Sequence, residues 1–346
     1  MRRILVTGGS GFIGTNLVDR YRHDESTAVL NYDAREPRCA THRDLWVQGT
    51  LDRPEDLLSV MRGFRPTHLV HLAARTDLDG RSMEDYRSNT EGVRVVLACA
   101  TEFGELERSI YTSSRLVCEL GEAPASEFDY FPPNHYGRSK VVGEQLVRAH
   151  DHAGGWVIVR PTSIWGPWGG APYRDFFLSL ASGTYVHPAH ETVRKHYGYV
   201  GNTIHQLDRL LTAPPKRVEG RTFYLADPDP IDVWTFAGAI RRALGLSPPR
   251  SAPVALMQVI AWAGDALQAT RLVEPPLTSD RLQHLRTDML FDLDEVRDIV
   301  GSLPYSQQEA IERTIAHLWD QGDLDGSAPA RALARRVYDA ADAPFR

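Results

Sequence analysis

Three glycines at three-residue intervals, Gly8, Gly11 and Gly14, follow a short apolar run at residues 4–6. The run is typical of a buried parallel strand, and residues 12–21 carry apolar side chains at helical spacing. Glycine lets a backbone turn tightly and lets another group approach it closely. The pattern therefore predicts a strand, a tight turn and a helix, the opening unit of a parallel α/β sheet.

Apolar runs and helix-like stretches alternate through the first half of the chain. This alternation predicts an α/β fold with a Rossmann-type, doubly wound parallel sheet that has helices on both faces. The predicted strands lie at residues 4–6, 28–32, 45–47, 68–72, 109–112 and 156–159, and the helical stretches between them include 84–102 and 136–149.

The alternation ends after Arg160 and Pro161, where glycines and prolines crowd together. We therefore expect a first domain at residues 1–165 and a smaller, mixed α/β lobe at 166–322, with segments near 197–226 returning to the first domain. The remaining residues, 323–346, are rich in Ala, Arg and Asp and predict a loosely attached tail. The predicted elements of the second half are helices at 234–244, 254–268 and 307–319 and a strand at 221–226.

Composition excludes several classes of function. The net charge of −6 gives no reason to expect nucleic acid as a partner. The three cysteines, Cys39, Cys99 and Cys118, lie far apart without metal-ligand spacing, which predicts neither a disulfide framework nor a metal site and favours a cytoplasmic setting. The apolar stretch at 252–273 is interrupted by polar residues, so we expect no membrane span, and the N-terminus does not resemble a secretory signal.

A dinucleotide is the ligand that the glycine turn favours. The free N–H groups at the start of the following helix can hold a pyrophosphate. The second apolar run ends at Asp33, nineteen residues beyond Gly14, where a carboxylate can accept both ribose hydroxyls and repel a 2′-phosphate. We therefore expect NAD, although Arg35 and Arg38 could weaken that preference. A ligand-free turn, with Asp33 as a strand-ending residue, would give the same pattern.

Tyr136 and Lys140 lie four residues apart and hence on one face of a helix. A phenol near pKa 10 is a poor base at neutral pH, and a neighbouring cation lowers that pKa. The pair thus predicts a proton-transfer site that works beside a hydride-carrying cofactor. The same spacing also occurs on ordinary surface helices.

Together these motifs resemble the extended short-chain dehydrogenase/reductase family, particularly its nucleotide-sugar epimerases and dehydratases. The resemblance is carried by Val6-Thr7-Gly8-Gly9-Ser10-Gly11-Phe12-Ile13-Gly14, Asp33, His71-Leu72-Ala73-Ala74, Asn89-Thr90-Glu91-Gly92, Tyr111-Thr112-Ser113-Ser114, Tyr136–Lys140 and Arg160-Pro161. It covers residues 1 to 226, and more diffusely extends to about 320.

The resemblance implies roles for individual residues. Ser114 would be a third catalytic residue beside Tyr136 and Lys140, and Asn89 would be structural or part of a proton relay. The residues implied to contact NAD are Gly8, Gly11, Phe12, Ile13, Gly14, Asp33, Leu51, Leu72, Ala73, Ala74, Asn89, Tyr136, Lys140 and Pro161.

Two departures from the family pattern bear on the reaction. Thr50 stands where the family often has an acidic residue for the adenine amine, so only Leu51 is left to pack against adenine. Sugar dehydratases of this family carry Asp-Glu directly after the catalytic hydroxyl residue, and this chain has Arg115-Leu116. We therefore do not expect elimination of water.

The substrate is expected between the first domain and the C-terminal lobe. Similar epimerases bind a nucleotide diphosphate there, and Lys195 or Arg194, with Arg281 or Arg286, could supply the cations. Each of these charges could equally be a solvated surface residue, and the aromatic candidates could be packing. Our candidate substrate residues are Thr76, Arg115, Ser163, Trp165, Lys195 and Arg281. The rings of Trp165, Trp168 and Tyr173 could stack on the substrate, and Cys118 is expected to be packing.

Three functional hypotheses remain open. The leading one is an NAD-dependent nucleotide-sugar epimerase that works through a keto intermediate, as a homodimer that pairs helices near 84–102 and 136–150. An NAD(P)-dependent dehydrogenase or reductase of a keto-sugar or a sterol-like alcohol is the alternative, since 252–273 and the stretch after Pro275 resemble 3β-hydroxysteroid dehydrogenases. The third is a dinucleotide-binding protein without catalysis, a class that usually lacks the tyrosine or the lysine.

Overall fold

A computed structural model describes residues 1–121, 124, 126–269, 275, 277–324 and 326–341. The strands are β1 (Arg2–Thr7), β2 (Thr27–Asp33), β3 (Trp46–Gln48), β4 (His68–His71), β5 (Arg108–Thr112), β6 (Gly155–Pro161), β7 (Ser163–Trp165), β8 (Val186–Pro188), β9 (Arg194–Lys195), β10 (Tyr197–Tyr199), β11 (Arg221–Leu225), β12 (Ile231–Asp232) and β13 (Arg250–Ala252).

Helices cover both faces of the sheet and build much of the C-terminal lobe. They are α1 (Phe12–Arg22), α2 (Pro54–Phe64), α3 (Arg87–Phe103), α4 (His135–Ala149), α5 (Tyr173–Ser182), α6 (Val200–Thr212), α7 (Pro215–Val218), α8 (Val233–Ala243), α9 (Val254–Ala269), α10 (Ser279–Arg286), α11 (Asp294–Val300), α12 (Gln307–Asp320) and α13 (Ala328–Ala341). Short 3₁₀ turns occur at Ala40–Leu45, Glu84–Tyr86 and Arg115–Val117.

The main sheet has seven parallel strands in the order β11-β6-β5-β4-β1-β2-β3. Its central strands are apolar on both faces, and Ile4, Leu5 and Val6 of β1 are completely buried. Successive side chains of a strand point to opposite faces of the sheet, and here helices cover both faces. Side chains on both faces of the central strands are therefore buried, and these strands appear in the sequence as continuous apolar runs. The predicted α/β, Rossmann-type fold class is confirmed.

The last strand of the sheet comes from the second half of the chain. β11 pairs in parallel with β6, from Arg221 opposite Val157 to Leu225 opposite Pro161. After β6 the chain passes through β7 to α7 and then returns to the sheet, where β11 completes its edge. Two short pairings, β8 with β13 and β9 with β12, belong to the lobe beyond.

The C-terminal segment differs from the loosely attached tail that its composition predicts. Its described residues form α13, which packs against α12, and Ala330, Leu333 and Ala334 are buried. These small apolar residues recur at helical spacing, and the stripe they form covers part of the core. Residues 342–346 lie outside the described residues.

No helix within the described part of the chain combines the length and the apolar character that crossing a bilayer takes. The most apolar helix, α9, has sixteen residues.

Candidate active site

The candidate site is a cleft at the carboxyl ends of the parallel strands. In the sheet, β2 and β3 lie on one side of β1, and β4 lies on its other side. The strand order therefore reverses at β1, and doubly wound sheets bind ligands in the crevice that such a reversal opens. The cleft has a volume of about 1230 Å³ and is continuous from the glycine loop to Tyr136 and Tyr173.

The glycine loop forms the floor of one end of this cleft. Gly8 has a φ of +79°, and a Cβ there would lie 2.5 Å from the backbone nitrogen of Ala73. A Cβ on Gly14 would lie 2.3 Å from the carbonyl oxygen of Gly8, so the turn can close only with glycine at both positions. Gly11 caps α1 without a side-chain hydrogen bond, which leaves the first N–H groups of the helix available to a phosphate.

Asp33 ends β2 beside this loop. Its Oδ2 accepts a hydrogen bond from the backbone N–H of Ser10 at 3.0 Å, and its Oδ1 accepts one from the N–H of Arg35 at 2.9 Å. Each carboxylate oxygen keeps further acceptor capacity for ribose hydroxyls. The guanidinium of Arg38 donates to the carbonyl oxygens of Ser10 and Trp168, and Arg35 and Arg38 both line the cleft beside Asp33.

Apolar residues line the cleft where a cofactor would lie against the sheet, and the residues present therefore fit NAD. Of the residues expected to contact NAD, those that line the cleft are Gly8, Gly11, Phe12, Ile13, Gly14, Asp33, Leu51, Leu72, Ala73, Ala74, Tyr136, Lys140 and Pro161.

Asn89 is the exception among these residues. It is buried, its side-chain amide donates to the carbonyl of Arg75 at 2.9 Å and to the Ser139 hydroxyl at 3.0 Å, and its Oδ1 accepts from the N–H of Arg75 at 2.8 Å. Protein groups use both ends of the amide, so Asn89 fixes the segment after β4 against α3 and α4 and does not face the cofactor part of the cleft.

Tyr136, Lys140 and Ser114 converge at the centre of the cleft. Asn134 caps α4 by accepting a hydrogen bond from the N–H of Gly137 at 2.8 Å, which places Tyr136 in the first turn of the helix. The Nζ of Lys140 donates to the carbonyl of Thr112 at 3.0 Å and lies 5.9 Å from the centre of the Tyr136 ring. Ser114 follows β5 on the same side.

Burial controls the charges of this group. It raises the pKa of the Tyr136 phenol, against the opposing effects of the Ser114 hydroxyl and the Arg115 guanidinium. Burial also lowers the pKa of Lys140 to about 8. The phenol is therefore neutral in the resting site, whereas Lys140 is still mostly an ammonium at pH 7. The positive charge of an oxidised nicotinamide, when bound, would shift the phenol towards ionisation. The arrangement can move a proton to or from a substrate hydroxyl.

The structure separates the expected substrate residues into two groups. Thr76 lines the cleft, as does Tyr173. Ser163 is buried outside the lining, and its hydroxyl donates to the Sδ of Met289 at 3.5 Å. Trp165, by contrast, is 1% exposed and packs among Phe177, Tyr199 and Phe236. Its position in the core corrects the expectation that it stacks on a substrate, because β7 turns its side chain into the lobe.

Three of the four basic residues expected to contact a diphosphate have partners within the protein, and the fourth, Arg194, is exposed on β9. Lys195 is buried, and its Nζ donates to the carbonyl of His284 at 2.6 Å. The Arg281 guanidinium donates to the carbonyl of Pro275 at 2.6 Å, and Arg286 pairs with Glu191 at 2.8 Å. Arg281 and Arg286 therefore hold the lobe together and lie outside the cleft lining.

Several lining residues were not singled out from the sequence. Ser113 precedes Ser114, Ser88 lies on α3, and Gly170 and Ala171 precede α5. The glycine-proline cluster before α5 was the only sequence feature near Gly170 and Ala171, and it indicated the end of the strand–helix alternation but no ligand contact. Cys118 is buried as expected, and its Sγ donates to the carbonyl of Asp129 at 3.3 Å.

A doubly wound sheet, a glycine loop at its switch point, an acidic residue after β2 and a Ser-Tyr-Lys group in one cleft define a dinucleotide-dependent enzyme that acts on alcohol or carbonyl groups. The model of the NAD dependent epimerase/dehydratase family matches residues 4–226, and the chain belongs to that family. The family, the enzyme class and NAD as the cofactor are thereby confirmed as predicted.

The relatives include both reaction types considered above. The chain is 26% identical to a 3 beta-hydroxysteroid dehydrogenase/Delta 5-->4-isomerase of Mycobacterium tuberculosis, over 91% of this chain and 90% of that protein. It is 25% identical to an N-acetyl-alpha-D-glucosaminyl-diphospho-ditrans,octacis-undecaprenol 4-epimerase of Escherichia coli O157:H7, over 91% and 94%. In fold it is similar to the UDP-glucose 4-epimerase of Thermus thermophilus in complex with NAD, with a TM-score of 0.67, 20% identity and coverage of 92% and 99%.

Proposed function

We propose that this enzyme is an NAD-dependent epimerase of a nucleotide sugar. The observation that carries the proposal is the polar lining that the cleft acquires beyond the glycine loop. Thr76 and Asp77 after β4, Ser88 on α3, Thr162 after β6 and Tyr173 on α5 line it there. The Asp77 carboxylate is paired with Arg75, and the Thr162 hydroxyl donates to the carbonyl of His196, so each keeps only its remaining acceptor capacity for a ligand. Hydroxyl, carboxylate and phenol groups suit a polyhydroxylated substrate better than a sterol.

In this proposal, Ser114, Tyr136 and Lys140 carry out the proton transfers. Ser114 and Tyr136 hold the hydroxyl of the reacting carbon, and Tyr136 accepts its proton while Lys140 stabilises the phenolate. NAD, when bound, would accept a hydride from the reacting carbon and give it back. Rotation of the keto intermediate between the two hydride steps exposes its other face, and Tyr136 then returns the proton to the product.

Elimination of water is not part of the proposal. It would need an acid and a base beside Ser114, and this chain has Arg115 and Leu116 in the following two positions. A guanidinium stays protonated and an aliphatic side chain cannot transfer a proton.

The test is to purify the protein, determine its bound cofactor, and incubate it with nucleotide sugars. An epimerase regenerates its cofactor in every cycle, so we expect retained NAD and product formation without a net change in the absorbance of reduced nicotinamide. Production of NADH in proportion to product would contradict the proposal.

One observation favours a dehydrogenase of an apolar alcohol as the second candidate. Helix α9 carries exposed Leu256, Val259, Ile260 and Trp262, which could form an apolar wall for such a substrate, and one relative is a hydroxysteroid dehydrogenase. Turnover of a 3β-hydroxysteroid with stoichiometric NADH, and no turnover of nucleotide sugars, would select this candidate.

We also propose that the protein is a homodimer that pairs α3 and α4 of two copies. The two helices pack side by side, and the half-buried Val95, Val142 and Leu146 lie on them. Light scattering after gel filtration tests the mass, and Leu146→Lys is expected to shift it towards the monomer.

A further inference from the structure

Residues 166–171, which connect β7 to α5, form a strap along the dinucleotide end of the cleft. Gly170 and Ala171 line the cleft together with the glycine loop. A Cβ on Gly169 would lie 3.3 Å from the Cζ of Phe12, the first residue of α1, so the strap passes close to the helix end at which a pyrophosphate would bind. The strap therefore borders the path by which a dinucleotide reaches the glycine loop.

Two hydrogen bonds fasten the strap to α1 and to the segment after β2. The side-chain amide of Asn16, on α1, donates to the carbonyl of Pro167 at 3.0 Å. The guanidinium of Arg38 donates to the carbonyl of Trp168 at 2.7 Å. Asn16 lies outside the cleft lining, so its bond acts on the strap and not on a bound cofactor.

The strap is also held by α12. The ring of Trp168 packs edge-on against that of His317, with the ring centroids 4.5 Å apart. Burial lowers the pKa of His317 to about 4, so the contact at neutral pH is between two uncharged rings. Just beyond the strap, the Nε of Arg174 donates to the carboxylate of Asp323 at 2.8 Å. The strap therefore joins α1 to the end of α12.

Trp168 has a backbone conformation that tryptophan rarely adopts. Its φ is +66°, in the left-handed region that favours glycine. A residue keeps such a conformation only where its surroundings impose it, and such residues concentrate at ligand clamps and switch regions. Here the hydrogen bond from Arg38 and the ring contact with His317 impose it. The closed strap is thus a strained arrangement that opens when these contacts break.

The contacts that hold the strap join protein groups to one another, and none of them needs the cofactor. They have to break before the strap can move away from the cleft, and they form again once the cofactor has passed. Their free energy therefore adds equally to the barriers for entry and for release, and it leaves the affinity unchanged.

We propose that the strap closes the dinucleotide end of the cleft and sets the rate at which NAD enters and leaves, with Asn16 and Trp168 as the positioning residues that hold it closed. A cofactor kept in this way serves many turnovers without exchange. The inference goes beyond the proposed function, and cofactor binding tests it without any substrate.

The experiment measures the exchange of NADH, whose fluorescence reports binding. Release is followed by stopped flow when excess NAD displaces protein-bound NADH, and entry is followed when NADH is mixed with the cofactor-free full chain. The variants are Trp168→Ala, Trp168→Phe and Asn16→Ala. The matched control is Trp262→Ala, which removes an exposed tryptophan from α9. Urea unfolding of every variant checks that the fold is intact.

We expect Trp168→Ala to raise both rate constants about tenfold, the upper range of what an aromatic pair contributes. Asn16→Ala should raise both about fivefold, the scale of one hydrogen bond. The Kd, which is the ratio of the two constants, should change by less than about twofold. Trp168→Phe should keep most of the slow exchange because its ring can still pack against His317, and Trp262→Ala should change neither rate.

Faster entry at unchanged affinity is a result that a merely structural role of these residues would not produce. Faster release without faster entry would raise the Kd, would show that the residues support the bound cofactor and not its exchange, and would overturn the inference. Unchanged rates in Trp168→Ala and Asn16→Ala would overturn it as well, because NAD would then pass elsewhere. If Trp168→Ala does not fold, Asn16→Ala decides between these outcomes.

Discussion

The ammonium of Lys140 donates its hydrogen bond to the carbonyl oxygen of Thr112, two residues before Ser114. This contact joins α4 to the end of β5. It fixes the separation of the helix that carries Tyr136 and the strand that leads to Ser114. One hydrogen bond between Lys140 and the backbone of the sheet therefore helps to position the residues that we propose to be catalytic.

Removing the hydroxyl of Tyr136 should abolish most turnover. Tyr136→Phe is expected to lower kcat by about a hundred- to ten-thousand-fold, the usual contribution of a positioned acid or base. NAD content should stay the same, because the hydroxyl is not needed to fill the cofactor end of the cleft. Tyr111→Phe, a buried tyrosine on β5 outside the cleft lining, is the matched control and should keep its activity. An active Tyr136→Phe enzyme would refute the catalytic assignment.

Asp33 should decide the choice of dinucleotide. Asp33→Ala removes the acceptor for the ribose hydroxyls and the charge that opposes a 2′-phosphate. We expect the Kd for NAD to rise about tenfold or more and the Kd for NADP to fall. Calorimetric titration with both dinucleotides measures the change, with Asp44→Ala at an exposed position as the control. Unchanged discrimination would show that Asp33 serves only the turn.

The buried ion pair between Glu144 and Arg160 should matter for stability. Both side chains are 1% exposed, and Glu144→Gln leaves the Arg160 cation without a counter-charge. We expect the free energy of unfolding in urea to fall by about 3 kcal/mol. Glu102→Gln breaks an exposed pair with Arg62 and should cost below about 1 kcal/mol. The double change Glu144→Leu and Arg160→Met should cost less than Glu144→Gln, and a larger loss would contradict this account.

His71 should make the fold sensitive to acid. It is fully buried beside Thr7, and burial lowers its pKa from 6.5 to about 3. Below about pH 6.5 the unfolded chain takes up a proton that the folded chain does not, so stability falls as the pH drops from 6.5 towards 3. His71→Asn should move the midpoint of acid unfolding down by on the order of half a pH unit. The exposed His23→Asn should not move it, and an equal shift in both variants would disprove the role of His71.

The first half of the fold could be predicted because its signals are local. Gly8, Gly11 and Gly14 are fixed by the turn they form. Asp33 ends β2 and Ser114 follows β5 by two residues, and the apolar runs of both strands are visible in the sequence. Tyr136 and Lys140 share one helical face. Each of these positions depends on contacts that the neighbouring residues already dictate.

The fold of the second half of the chain depends on contacts between segments that are far apart in the sequence. The spacing of residue types along the chain does not reveal such contacts. Trp165 looked like a stacking residue because it stands beside a glycine-proline turn, yet its place is set by Phe177 and Phe236. The guanidinium of Arg281 donates to the backbone carbonyl of Pro275, a contact that cannot be predicted from the residue type at position 281. Arg115 was both a candidate substrate residue and the sign of a missing acid, and spacing alone could not show which distant segments surround its side chain.

The strand β11 has a consequence for how the protein is made. The edge of β6 is free until residues 221–225 have been added, so a ribosome must synthesise almost two thirds of the chain before the sheet can close. A nascent chain that stops before Arg221 would present an apolar, unpaired strand edge to its surroundings. We expect the sheet to be completed only after α6 has left the ribosome, when the returning segment can cover that edge.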